Sequence, residues 1–201
     1  MADVIISARF LPAIRRAAFS GEVEAGAWLT FRRSLITDHP WGGGEKDRFV
    51  LREITPLSVG DVVSASSTHI TVRTESFVRL AARTAAEGSV SGFLHGHPGG
   101  EVRFSSRDDE NESTLLNINR KKGGASAKLV SILCLPDGLI RARIWGKNKT
   151  PEATDVIITG VNMELYPEKT IAPHIDLDRQ GRLFGDNVNQ MLSRLTVVVV
   201  G

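Results

Sequence analysis

The chain has one cysteine, Cys134, among 201 residues, so no internal disulfide can form and no site built from several thiolates is available. Set in the apolar run Leu129 to Leu135, Cys134 reads as a reduced core thiol, which leads to the expectation of a cytoplasmic setting. No sign of charge dominates. The 25 Lys+Arg stand against 23 Asp+Glu, a net charge of +2, and no basic run is longer than Arg120-Lys-Lys122, so a nucleic-acid partner is not implied. The N-terminus, Met1-Ala-Asp-Val-Ile-Ile-Ser-Ala-Arg-Phe10, lacks both a basic leader and a long apolar stretch, so neither a signal peptide nor a membrane span is expected. No internal repeat is visible, and the length leaves room for one substantial domain with a real core.

What is present is a mixed α/β order. Phe10 to Phe19 reads as a helix that tolerates Pro12 in its first turn and turns Arg15 and Arg16 outward. Gly26 to Ser34, Arg48 to Ile54 and His69 to Arg73 read as strands, and a helix runs from Thr74 or Glu75 to Ala86. The glycine-rich stretch from His39 to Asp47 is a loop, since Pro40 and three glycines cannot sit in a ladder. His39 and His69 have no partner at ligand spacing and are expected to be a loop and a structural histidine. Ser89 to His95 is a strand, Ser106 to Arg120 a helix closed by Gly123 and Gly124, Leu129 to Leu135 and Leu139 to Trp145 a hairpin around Pro136-Asp137-Gly138, and Val156 to Leu165 a last strand.

The most informative segment is His95 to Asp108, H-G-H-P-G-G-E-V-R-F-S-S-R-D. If Phe93 to His97 is extended, positions i and i+2 share a face and His95 and His97 present both imidazoles to one point. Pro98 ends ladder pairing, Gly99 and Gly100 let the chain double back, and Asp108 can return as a third, oxygen ligand. Two histidines and one carboxylate suit a catalytic zinc with its fourth position open. An H-x-H pair alone arises by chance about once in eight such chains, so the argument needs Pro98 and Asp108 at their offsets. Ser105-x-x-Asp108 is also a capping-box pattern, and the two readings are compatible: an acid in the first turn of a helix is held rigidly, and its ionised form is favoured there.

With these residues in place the chain resembles the JAMM (MPN-type) zinc isopeptidases, whose pattern is H-x-H-P, six residues, then S-x-x-D, after an upstream glutamate. His95-Gly-His97-Pro98 and Ser105-Ser-Arg-Asp108 match it without insertion or deletion. The resemblance implies a JAB/MPN, cytidine-deaminase-like α/β fold with a mixed central sheet flanked by helices. It also implies zinc on His95, His97 and Asp108, Ser105 beside the tetrahedral intermediate, and a glutamate as general acid/base. Bacterial members often carry a segment like E-T-G-G-x-L-x-G at the end of the first long helix. Glu24-Ala-Gly26-Ala-Trp-Leu29 follows it through Leu29, with Ala27 and Phe31 where that segment has glycines. Glu24 is therefore the candidate; Glu22, one alternation away, is the alternative, and a surface glutamate at a helix-to-strand junction accounts for either without chemistry.

The end of the chain differs in character. Residues 167–173, P-E-K-T-I-A-P, read as a linker, which makes residues 1–166 the metallopeptidase domain. Asp178-Arg-Gln-Gly-Arg-Leu-Phe-Gly185 and the apolar run ending Val197-Val-Val-Val200-Gly201 are similar to the start of a ThiF-like adenylating domain. On that resemblance, residues 174–201 would be the truncated opening of a fused ubiquitin-activating-type domain, lacking the phosphate loop that binds nucleotide. A C-terminal edge or swapped strand is the alternative. Together these features imply a zinc peptidase that cuts the amide after the C-terminal tail of a ubiquitin-like protein. A non-catalytic scaffold of the same fold stays open. A zinc deaminase does not, because its H-x-E and P-C-x-x-C set needs more than one cysteine.

Overall fold

The computed structural model of the chain describes residues 2–37, 45–148, 150–161 and 163–168. His39, the rest of 38–44, residues 169–173 of the expected linker and the expected adenylating-type segment 174–201 lie outside the described residues. The elements are β1 (Ala2–Ser7), α1 (Leu11–Ala18), β2 (Phe19–Ser20), β3 (Val23–Glu24), β4 (Gly26–Ile36), β5 (Lys46–Pro56), β6 (Val62–Ala65) and β7 (Ile70–Val72). They continue with α2 (Glu75–Glu87), β8 (Val90–Gly96), α3 (Ser106–Gly123), β9 (Leu129–Cys134), β10 (Ile140–Trp145), β11 (Glu152–Thr159) and β12 (Glu164–Tyr166).

Eight strands form one mixed sheet in the order β1-β5-β4-β8-β9-β10-β11-β12, and β1 pairs with β11 as well, so the sheet curls back on itself. β8 and β9 run parallel, and a parallel pair needs a crossover, which α3 supplies. Alternation then sorts side chains onto two faces. Leu94, Val130, Ile132, Ile144, Phe31 and Phe49 face one core, closed by Ile14, Ala17 and Ala18 of α1. Phe93, Leu129, Trp145 and Trp28 face the other, under Phe77 and Leu80 of α2 and Leu115 and Leu116 of α3. Each such fully buried large side chain contributes on the order of 1.5–3 kcal/mol, so the sheet is anchored from both sides. No helix among the described residues is long and apolar enough to cross a membrane.

Two glycines set how closely the segments around the site approach. A Cβ on Gly96 would lie 2.3 Å from the Ala18 carbonyl, and one on Gly26 2.5 Å from that of Leu94. With neither present, Gly96 N–H donates to the Ala25 carbonyl at 3.2 Å, and Ala25 N–H to that of Ala18 at 3.1 Å. The end of β8 is thereby tied to the chain on both sides of Glu24. Sequence patterning did not show three features. β1 is a parallel strand bonded to both β5 and β11, although its apolar run Val4-Ile-Ile6 is too short to announce a strand by itself. β6 is absent from the sequence reading. Val156 to Leu165 is two strands, because the chain turns at Gly160 and the fully exposed Val161.

Gly96→Ala is expected to cost about 1–3 kcal/mol in denaturant unfolding, the scale of forced overpacking. Gly99→Ala, with no atom within 4 Å of the added Cβ, is expected to stay within about 0.5 kcal/mol of wild type.

Candidate metal centre

β8 carries two imidazoles to one place because it is extended to its end. His97 lies one residue past the strand, but its N–H still donates to the Cys134 carbonyl at 3.1 Å, so the alternation persists and the two rings stand 5.1 Å apart. Both histidines are buried. After Pro98 the chain reverses at Gly100, whose φ of +78° falls in the left-handed region and whose N–H returns to the His97 carbonyl at 3.0 Å.

Asp108 comes back to the histidines through a helix cap. Ser105 is the N-cap of α3, and its Oγ accepts from Asp108 N–H at 3.2 Å. In return Asp108 Oδ2 accepts from Ser105 N–H at 2.7 Å and from Ser105 Oγ–H at 2.8 Å. The capping box is thus complete, and it aims the carboxylate at the histidines: Oδ1 is 3.2 Å from His95 Nε2 and Oδ2 is 3.5 Å from His97 Nε2. Glu24 arrives from another segment, with Oε1 3.8 Å from His97 Nε2.

The local structure around Glu24 differs from the expected helix-to-strand junction. α1 is followed by a two-residue-per-arm hairpin, β2–β3, with Glu24 paired to Phe19 and its N–H donating to the Ser66 carbonyl at 2.8 Å. This buries Glu24 to 3% exposure and leaves Glu22 in the exposed turn, so the two glutamates do not share a face. His69 is half-buried, 2.7 Å from Ser66 Oγ through Nδ1, and takes no part in the cluster. Cys134 is a free, buried thiol, pushed up to about 11 by burial.

Burial and charge act against each other here. Burial raises the Glu24 carboxyl above its ordinary value, only partly offset by the two imidazoles, and the Asp108 charge adds to the rise. For Asp108 burial is again the largest influence, but His95, His97 and the Ser105 N–H together outweigh it and hold the carboxyl well below the usual range. For His97 burial opposes the charge, yet Asp108, the Glu101 carbonyl and Glu24 carry the net shift upward.

The donor set fits a metal ion. Ligand atoms of His95, His97 and Asp108 all lie within 4.8 Å of one another. Tetrahedral ligands at zinc distances stand about 3.3 Å apart, close to the 3.2 and 3.5 Å between the imidazole nitrogens and Asp108. His95 Nε2 is buried and faces Asp108 without hydrogen-bond alignment, and Glu24 Oε2 is buried without a partner. His97 Nδ1 is 2.8 Å from the Glu101 carbonyl, which fixes its proton there and leaves the Nε2 lone pair free.

Glu112 and Arg143 border this centre and were not singled out from the sequence. Glu112 is fully buried on α3, and its Oε2 accepts from Arg143 Nε–H at 2.8 Å and from the Trp145 indole N–H. Burial raises the Glu112 carboxyl, and Arg143 acts against it. Arg143 also meets Asp109 at 2.6 Å and lies 3.9 Å over the Phe104 ring, which itself touches His95 edge-on. The available signal was the i, i+4 step from Asp108 to Glu112, continued on the same helix face by Leu115 and Asn119.

Elemental analysis is expected to find about one metal ion per chain, lost in His95→Ala, His97→Ala and Asp108→Ala and kept in Glu24→Ala. The raised pKa of His97 gives the pH dependence. Below that pKa the metal must displace a proton from Nε2, so affinity should rise with pH until the pKa is passed and level off above it, with matching proton release in calorimetry at different buffer ionisation heats.

The family model described as prokaryotic homologs of the JAB domain matches residues 8–144. The matched region spans α1 through β10 and contains Glu24, His95, His97, Ser105 and Asp108. No curated protein matches the chain. With a buried two-histidine, one-aspartate cluster inside a family match that covers most of its length, the chain belongs to the prokaryotic JAB-domain family.

Proposed function

We propose that this domain is a zinc-dependent peptidase that hydrolyses the amide bond after the C-terminal tail of a ubiquitin-like protein, trimming a precursor or releasing a conjugate. The observation that carries the reading is the convergence of Glu24 with His95, His97 and Asp108, four ionisable side chains that are each at least nine-tenths buried. Zinc, when held by His95, His97 and Asp108, supplies Lewis acidity that polarises a carbonyl and makes water acidic enough to attack near neutral pH. The two-histidine, one-carboxylate set is shared by zinc and non-haem iron(II), so the ligands alone do not separate the two metals; tetrahedral geometry around the set favours zinc.

The chain's own residues do the rest. Glu24, raised by burial above its ordinary value, is suited to take a proton from water at Oε1, the oxygen that faces His97 Nε2, and to return it to the leaving amine. Asp108 stays ionised through its cap and its imidazole neighbours. Ser105 keeps its bond from Asp108 N–H while its hydroxyl proton is free to turn from Oδ2 toward an oxyanion. His97 keeps its tautomer through the Glu101 carbonyl, so its ligand nitrogen does not have to reorganise.

The substrate class and domain plan rest on the sequence. The resemblance of residues 174–201 to the opening of a ThiF-like adenylating domain places the peptidase, in this reading, beside an enzyme that activates ubiquitin-like proteins, within one polypeptide. The fold assignment is likewise taken to the cytidine-deaminase-like arrangement implied by the JAMM resemblance.

Glu24→Gln is expected to bind zinc normally and to lose at least about two orders of magnitude in turnover on a ubiquitin-like precursor carrying a C-terminal extension, while Glu22→Gln stays near wild type. Near wild-type rates in Glu24→Gln would remove Glu24 from the mechanism. No hydrolysis by the zinc-loaded wild type would favour the scaffold reading. The domain plan has its own test: proteolytic cleavage within residues 169–173 should release a core that retains zinc and activity, and a core emptied of metal would assign the tail to the peptidase fold.

A further inference from the structure

The two metal-facing histidines are oriented by different means. The Glu101 carbonyl holds Nδ1 of His97, whereas among the described residues no group hydrogen-bonds either ring nitrogen of His95. His95 is surrounded by rings instead. Phe93 stacks on it at 5.4 Å between centroids and 18° between planes, and Phe104 meets it edge-on at 5.8 Å. A ligating imidazole needs its plane fixed, because the lone pair that the metal takes lies in that plane.

The two aromatic neighbours are held in different ways. Phe93 is a buried core residue of β8, 5.4 Å from Trp28, which packs on Phe77 at 5.0 Å and donates its indole N–H to Ser76 Oγ at 2.9 Å. Phe104 belongs to the loop before α3, is half-buried, and lines an open cavity of about 500 Å³ together with Arg141, Ala153 and Thr154. The ring therefore has room to turn away from His95. Arg143 of β10 supplies the restraint: its guanidinium lies 3.9 Å over the Phe104 ring, within cation–π range. Arg143 is fixed in turn by Asp109 at 2.6 Å and Glu112 at 2.8 Å, both on α3. One continuous series of contacts, Phe77, Trp28, Phe93, His95, Phe104 and Arg143, thus runs from α2 through a metal-facing imidazole to β10.

We infer that Phe104, held in place by Arg143, is a positioning residue for His95: ring packing sets the plane of this imidazole where a hydrogen bond sets that of His97. The inference rests on reading His95 as a metal ligand. Arg143 then serves the centre at two points, because it ties down both the first turns of α3, which carry Asp108, and the ring that steadies His95.

The test uses the full chain. In the metal-free wild type, nuclear Overhauser contacts should join the ring protons of Phe104 and His95, and their absence overturns the inference without any variant having to fold. Cobalt(II) reads the rest: competition with a chelator gives affinity, and the d–d absorption reports ligand geometry. Phe104→Leu should weaken cobalt by about two- to tenfold, the range of one aromatic pair, and alter the absorption envelope. Phe104→Tyr keeps the ring and should restore both. Arg143→Lys keeps a cation for Glu112 and Asp109 but loses the flat guanidinium, so it should weaken cobalt by itself and add nothing in the Phe104→Leu background. Arg141→Met alters the same cavity at a residue that donates to the Pro167 carbonyl, and it should keep wild-type affinity and spectrum. Unchanged binding and spectrum in folded Phe104→Leu, or additive losses in the double variant, overturns the inference. A loss in Arg141→Met as large as that in Phe104→Leu does so too. Wild-type protein that binds no cobalt overturns the ligand reading and this inference with it, whereas a failed peptidase assay alters neither readout.

Discussion

The carboxylate of Asp108 is the joint on which the centre turns. It closes the cap of α3 through Ser105 and at the same time faces both imidazoles of β8. A helix N-terminus favours a negative group, and two imidazoles favour the same ionised form, so the requirements of the helix and of the site coincide in one side chain. α3 cannot slide along the sheet without pulling Asp108 away from the histidines. Leu115 and Leu116, buried against Phe93, Leu129 and Trp145, hold it in place. The geometry of the cluster is thus set by the packing of one helix, with both polar and apolar residues on its buried face, across the parallel β8–β9 pair.

That arrangement has a cost. Glu24, His95, His97, Asp108 and Glu112 are all at least nine-tenths buried, and several of their atoms lack partners. An unsatisfied buried polar group costs about 1–3 kcal/mol, against a net stability for a typical domain of about 5–15 kcal/mol. The two apolar cores on either side of the sheet offset this, and any ligand that binds only the folded cluster adds stability by mass action. Glu112 is treated differently from Glu24. It is paired with Arg143 and Trp145, whereas the Glu24 carboxylate faces His97 at 3.8 Å, too long for a hydrogen bond.

The parts of this centre that were legible in the sequence are those encoded within a few residues of one another. His95 and His97 share a face by strand alternation, Pro98 and Gly100 turn the chain, and Ser105 with Asp108 forms a cap, so fourteen consecutive residues specify three candidate ligands. Glu24 was reachable only through family resemblance, since its position depends on the contact of Gly96 with the Ala18 carbonyl, which no local pattern announces. Its separation from Glu22 was hidden because a hairpin of two short strands, turning at Gly21 with φ +65°, looks in sequence like the end of a helix. β1 was obscured for the opposite reason. Its partners, β5 and β11, are distant in sequence, and a short apolar run gains its identity as a strand only from them. Glu112 and Arg143 pair across thirty-one positions, and as single charged residues they resemble a solvated helix face and an edge strand.

The distribution of these constraints bears on whether such a domain is a catalyst or a scaffold. Metal ligation draws on one compact segment and could persist wherever that segment keeps its fold. The Glu24 carboxylate needs more: a hairpin after α1, glycines at 26 and 96 to admit close backbone contact, and the Ser66 carbonyl to hold its N–H. A domain that only presented a surface would gain stability from a leucine or methionine at position 24, because the buried oxygen without a partner would be gone. An ionisable carboxyl there, raised by burial and 3.8 Å from His97 Nε2, serves the proton transfer of the proposed function and does not serve folding.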